Sequence, residues 1–282
     1  MVAESLAQQP GVGVDCASSF QAEFAAVWTD LKNPAGLAPL QARLSLCEPV
    51  QTPSDVYELL YWAKTAVSQS VQCSYQRGGP PTDVPYSIGV MCSAAYPLRA
   101  AVDMIYNSTR APVQCYPYKL KPAHIHMHMH AQGLGLALDA PYAYTYKAPL
   151  PIQTLPFHYI CCVQFVMPVA GTSIFSVPHE FSMALLTRFC EGTYGVAPDP
   201  KWYIGGLYRT LPSLTNVIFS NGALDPVRGF SPSQNVGPTA IALVVDNMGH
   251  TYDLFADSPA DPPNIIAARA QELSILRGWL NF

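Results

Sequence analysis

Asp225 and His250 are the two residues of this sequence whose types and setting could form an acid–imidazole pair for proton transfer. Asp225 sits in Asn221-Gly222-Ala223-Leu224-Asp225-Pro226, just beyond the apolar run Val217-Ile218-Phe219. His250 closes Asp246-Asn247-Met248-Gly249-His250, just beyond Ile241-Ala242-Leu243-Val244-Val245. A carboxylate that meets an imidazole fixes its tautomer and stabilises the imidazolium formed during proton transfer. The plainer alternative is a turn-forming aspartate after Asn-Gly and an ordinary loop histidine, and spacing alone does not choose between the two. A nucleophile to complete such a pair is not evident: Ser5, Ser18 and Ser19 have no glycine elbow around them. Ser173, in Gly171-Thr172-Ser173-Ile174, lacks the second glycine, and no G-x-S-x-G occurs in the 282 residues.

Two other groups carry chemistry. His124, His126, His128 and His130 alternate in HIHMHMH, so an extended strand would place four imidazoles on one face, open to Zn, Ni or Cu ions. That tract has no acidic partners nearby to orient the rings, which argues against a specific metal site. Cysteines stand at 16, 47, 73, 92, 115, 161, 162 and 190, widely spaced and without a C-x-x-C pair. An even count beside the sequon Asn107-Ser108-Thr109 points to an oxidising compartment, with Asn107 as the glycosylation acceptor.

The elements that must position Asp225 and His250 are two short strands, over 216–220 and 240–245, each feeding a polar loop. Ligand sites in parallel α/β sheets lie beyond the carboxyl ends of the strands, and an acid after one strand with a histidine after the next is the order used by α/β-hydrolases. An amphipathic helix over about 264–280, opened by Pro262-Pro263, carries Ile266, Ala270, Leu273, Leu276 and Leu280 on one face. Upstream the period is helical. Phe20, Phe24, Val27, Trp28 and Leu31 form one stripe, with Ser18 or Ser19 as its cap. Thr52-Pro53-Ser54-Asp55 opens a second helix with Val56, Leu59, Leu60, Ala63 and Val67 inward. A third helix is expected over Leu98, Ala101, Val102 and Ile105, and another near 180–189. Between about 116 and 156 periodicity is lost.

Half of the residues are hydrophobic and 12% are charged, so the chain can bury a core and is not intrinsically disordered. A net charge of −4 without blocks of like charge argues against nucleic acid or an anionic membrane as the main partner. No apolar run reaches eighteen residues, which excludes a membrane-spanning helix. Met1 to Pro10 lacks the basic and apolar regions of a secretory leader, at odds with the cysteines.

The stretch SNGALDP followed by GH, the closing helix IIAARAQELSILRGWL and the segment CCVQFVMP resemble the C-terminal half of the S28 family of serine peptidases. The resemblance implies an α/β fold, namely a partial α/β-hydrolase core, its C-terminal strands and helix, with a helical cap domain. Residues 1–119 would be the cap, 120–156 an unstructured insertion, and 157–282 the end of the cap with the C-terminal part of the core. It also implies a serine carboxypeptidase or dipeptidyl peptidase that cleaves small proline-containing peptides in a lysosome or vacuole or after secretion, without metal or organic cofactor. Asp225 would be the triad acid and His250 the general base. The family's pattern pairs Cys16 with Cys92, Cys47 with Cys115 and Cys162 with Cys190, and leaves Cys73 and Cys161 unpaired.

The departures shape the expectation. The family's nucleophile lies in a G-G-S-Y-G-G elbow upstream of the cap, so the chain reads as an N-terminally truncated portion, inactive alone, with Met1 an internal methionine. The His-Met alternation is what a translated nucleotide repeat gives, so residues 120–156 read as retained intron sequence. Val227-Arg228-Gly229-Phe230 stands where the family has a tryptophan and glycines. Phe157-His158-Tyr159-Ile160-Cys161-Cys162-Val163-Gln164 keeps a tyrosine and a cysteine of W-x-Y-Q-x-C-T-E but loses its tryptophan and glutamate. The competing class is a non-catalytic binding or dimerisation module, whose half-sheet edge would pair with a partner or a second copy.

Overall fold

The structure is a computed structural model that describes residues 2, 5–6, 15–79, 82, 84–107, 111–119, 155–166 and 183–280. The histidine run, Ser173 and most of the 120–156 segment lie outside them. Two compact units alternate along the chain: Met1–Phe20 with Ala66–Ala111 and Thr210–Phe282, and Gln21–Thr65 with Pro112–Arg209.

The first unit holds the sheet. Strands β1 (Val217–Gly222) and β2 (Ala240–Val245) pair in parallel, from Val217 opposite Ala240 to Gly222 opposite Val245. Runs of Val, Ile and Phe suit a pleated, partly buried surface. The expected first strand, 216–220, is displaced: Asn216 has a left-handed φ of 56° and lies outside it, whereas Asn221 and Gly222 continue the strand. Asn221 is held by its side-chain amide, which donates to the Pro232 carbonyl at 3.0 Å. A buried cluster of Cys73, Tyr75, Met248, Tyr252 and Ile265, with Val245 and Phe255 against it, lies beside β2.

Helices supply the rest of this unit. Helix α1 (Asp15–Lys32), whose residues up to Phe20 belong to this unit and the rest to the second, begins before the expected caps, so Ser19 lies inside it and its hydroxyl donates back to the Asp15 carbonyl. Further on come α4 (Ser87–Ser93), α5 (Pro97–Tyr106) and α8 (Pro263–Leu280). Helix α5 buries Leu98, Ala101, Val102 and Ile105, the residues its period selects. Helix α8 does not follow its pattern: Ile266, Leu273 and Leu280 are half or more exposed, while Ile265 and Ala268 are buried. The inward face is the one that also carries Glu272, bonded to Ser220 of β1 at 2.9 Å. Disulfide Cys16–Cys92 joins α1 to α4.

The second unit comprises α2 (Leu37–Leu44), the first turns of α3 (Pro53–Gln72), α6 (Leu155–Val163) and α7 (Met183–Tyr194). Helix α3 starts with a reciprocal cap. The Asp55 amide donates to the Thr52 hydroxyl, and the Asp55 carboxylate accepts from the Gln51 and Thr52 amides at 2.8 and 2.9 Å. Lys119 completes that carboxylate's partners at 2.8 Å. Cys47–Cys115 ties residues 45–47 to 114–116, where the Cys47 amide donates to the Tyr116 carbonyl. Cys162–Cys190 ties α6 to α7.

Candidate active site

Strands β1 and β2 end side by side, and each delivers one functional residue from its carboxyl end. After Gly222 the chain turns at once: the Asp225 amide donates to the Gly222 carbonyl at 3.0 Å, and the Leu224 amide to the Met248 carbonyl at 3.0 Å. Gly222 is required for that approach, since a Cβ there would lie 2.8 Å or less from the backbone of Met248 and Gly249. The Asp225 carboxylate folds over its own loop, one oxygen accepting from the Val227 amide at 2.9 Å. Its other oxygen lies 2.8 Å from Nδ1 of His250.

This geometry assigns the ring. An ionised carboxylate only accepts, so the Nδ1 nitrogen carries the hydrogen and the basic lone pair sits on Nε2. The Asp225 side chain is 8% exposed and that of His250 36%, so the carboxylate is withdrawn while the imidazole stays accessible to a reacting group. A buried orienting acid behind an accessible histidine is the arrangement that general acid–base transfer requires. Asp225 and His250, proposed from the sequence, are therefore in contact.

What the sequence did not indicate is how the histidine turn is fastened. Its amide donates to the Gln72 carbonyl at 2.9 Å, and its carbonyl accepts from the Tyr75 hydroxyl at 3.0 Å. Gly249 packs against the Gln72 and Ser74 carbonyls and the Tyr75 ring. Asn247 and Thr251, at φ 54° and 52°, turn the chain on either side. Beyond the turn, Arg269 of α8 donates to the carbonyls of Asp253 (2.7 Å) and Tyr252 (3.1 Å) and pairs with Asp261 (2.6 Å). Burial alone would raise the Asp261 pKa, but its bonds to Arg269 and the Ser258 amide and the charge of Arg77 hold it below the ordinary carboxylate value. Burial, with the nearby Asp253 carboxylate, raises Glu272 instead.

The remaining sequence candidates fall as follows. The six cysteines of the family pattern form three disulfides, and Cys73 and Cys161 are free and buried. Burial pushes each of those two thiols up to about 11, which makes them poor nucleophiles. The Asn107 side-chain amide donates to the Ala111 carbonyl at 2.8 Å, so the sequon's acceptor nitrogen is engaged in this conformation. Among the described residues no group of three His, Cys, Asp or Glu could hold a metal ion. No described helix is long and apolar enough to cross a membrane.

The family model of serine carboxypeptidase S28 matches residues 1–272. The chain belongs to the S28 serine peptidase family. It is 26% identical to lysosomal Pro-X carboxypeptidase of Bos taurus over 275 residues, which is 95% of this chain and 52% of that protein. The Homo sapiens protein of the same name gives 26% over 274 residues, again 95% and 52%. Thymus-specific serine protease of Mus musculus is 24% identical over 303 aligned positions, 99% of this chain and 55% of that protein. The S28 chain thus spans about half the length of these relatives, and Asp225 and His250 both fall inside the matched region.

Proposed function

We propose that this chain is the C-terminal portion of a serine exopeptidase that cleaves small peptides at prolyl bonds. The observation that carries the reading is the 2.8 Å contact between Asp225 and His250 at the carboxyl ends of adjacent parallel strands, in a chain of the S28 family. In the full-length enzyme His250 Nε2 takes the proton of a serine hydroxyl as its oxygen attacks the scissile carbonyl. The imidazolium then protonates the leaving amine, and an acyl-enzyme remains. Water attacks that ester with His250 again as base, and the serine recovers its proton. Asp225 holds the ring in the reactive tautomer throughout.

The serine and its oxyanion donors lie outside these 282 residues in this reading, and the helical segments upstream of β1 form a cap. The names of the relatives and the three disulfides support a lysosomal, vacuolar or secreted compartment. The test has two arms. The complete transcript, read from its 5′ end through the region encoding 115–162, is expected to extend upstream into a G-G-S-Y-G-G elbow. The purified 282-residue chain is expected to show no stoichiometric labelling by a fluorophosphonate probe. A transcript that starts at Met1, or one labelled serine in the chain alone, overturns this reading.

A second reading, a non-catalytic binding or homodimerisation module, is favoured by the apolar face of α8, where Ile266, Leu273 and Leu280 are exposed. Sedimentation of the purified chain decides its homodimeric form: a stable dimer supports that form, and a monomer removes it.

A further inference from the structure

We propose that Tyr75 is a positioning residue for His250, holding the backbone of the histidine so that its ring stays on Asp225. The proposal rests on the reading of the Asp225–His250 pair as the proton-transfer machinery. Tyr75 never touches the ring. Its hydroxyl donates to the His250 carbonyl at 3.0 Å, while the Gln72 carbonyl takes the His250 amide at 2.9 Å. Both backbone polar groups of the histidine are therefore bound by one short segment, 72–75, which lies 175 residues away in sequence.

The tyrosine is well placed to hold rather than merely to fill. It is 3% exposed, and its ring packs at 5.1 Å from Tyr252 and 4.9 Å from Phe255, both downstream of the histidine. On the upstream side, a Cβ at Gly249 would lie 3.1 Å from the ring, so the turn rests directly on it. The segment is itself anchored. The Ser87 hydroxyl donates to the Ser70 carbonyl (2.6 Å), the Ile88 amide to the Ser74 hydroxyl (3.2 Å), and the Tyr86 amide to the Tyr75 carbonyl (2.9 Å). Helix α4, tied to α1 by Cys16–Cys92, thus backs the segment that holds the histidine. Burial, reinforced by Cys73 and Asp225, raises the Tyr75 pKa, which keeps its hydroxyl a donor over the whole working range.

The test is proton NMR of the 282-residue chain with ring-labelled histidine, reading the low-field Nδ1–H of His250 and its exchange with water. The wild-type signal should be present and should vanish in D225N. In Y75F the exchange should become about fivefold faster, the factor expected for loss of one net hydrogen bond. Y252F, which removes a hydroxyl from the same cluster without touching the His250 carbonyl, should leave the rate unchanged. Replacing Tyr75 by 4-aminophenylalanine restores a donor and should restore slow exchange, which keeps the test decisive where Y75F does not fold. An unchanged rate in Y75F, equal acceleration in Y252F, or no rescue by the amine overturns the role of Tyr75 while the dyad stands. A signal absent from the wild type, or persisting in D225N, overturns the dyad itself and the positioning role with it.

Discussion

The acid loop and the histidine turn meet at one hydrogen bond yet are built in opposite ways. The acid loop is closed largely on itself: the Asp225 amide bonds the Gly222 carbonyl and the Val227 amide the Asp225 carboxylate within six residues, while the Ala223 and Leu224 amides reach across to the Val245 and Met248 carbonyls. The histidine turn is held from outside, by Gln72 and Tyr75 on one side and Arg269 on the other. A self-closed loop fixes its side chain wherever the strand ends. A borrowed one fixes its side chain only when distant segments have already folded against it.

Substitutions can sharpen or break this contrast. The largest effect belongs to the contact itself: D225N in the full-length enzyme proposed above should lower kcat about 10⁴-fold, with the fold kept, because the amide presents a donor to Nδ1 and selects the wrong tautomer. Steady-state kinetics beside a thermal melt would show the split. Next comes G222A, which should destabilise the chain by about 3 kcal/mol in a denaturant titration, since the methyl would have to displace the Met248 and Gly249 backbone. That loss would show the local loop depending on the borrowed one through a single glycine.

D261N should cost about 1–2 kcal/mol at neutral pH by weakening the grip of Arg269 on the histidine turn. The folded-state pKa of Asp261 is depressed, so this stabilisation is present above the ordinary 3.8 and is lost as the pH falls through the lower value. Melts recorded from neutral to strongly acid pH should therefore converge for wild type and D261N at the acid end. The smallest effect is E272Q. Burial and Asp253 raise the Glu272 pKa, so its contribution is fully present below the ordinary 4.5 and is lost as the pH rises through the raised value. The glutamine variant should lack that fall and gain a few tenths of a kcal/mol at neutral pH in the same melts.

The same contrast explains what could be read from the sequence. The ends of β1 and β2, and with them Asp225 and His250, were legible because apolar runs give way to turn residues within a few positions. The cap of α3 was legible for the same reason, since Thr52 and Asp55 exchange bonds locally. Gln72 and Tyr75 were not, because their bonds to His250 cross most of the chain and no periodicity reports them. The apolar stripe of α8 does not mark its inward face. Leu273 and Leu280 are exposed, and the buried side carries Ile265, Ala268 and a glutamate whose partner is on β1. The strand expected over 216–220 in fact runs on through Asn221 and Gly222, with the glycine there for close approach of the histidine turn.

The most direct test of the central claim is hydrolysis of a short Pro-X peptide by the full-length exopeptidase proposed above, wild type against H250A. The wild type is expected to cleave the peptide, and H250A to lose at least about 10³-fold in kcat with KM little changed. Cleavage by H250A at the wild-type rate, or no cleavage of prolyl peptides by the wild type, would contradict the assignment of His250 as the base of a prolyl-bond peptidase.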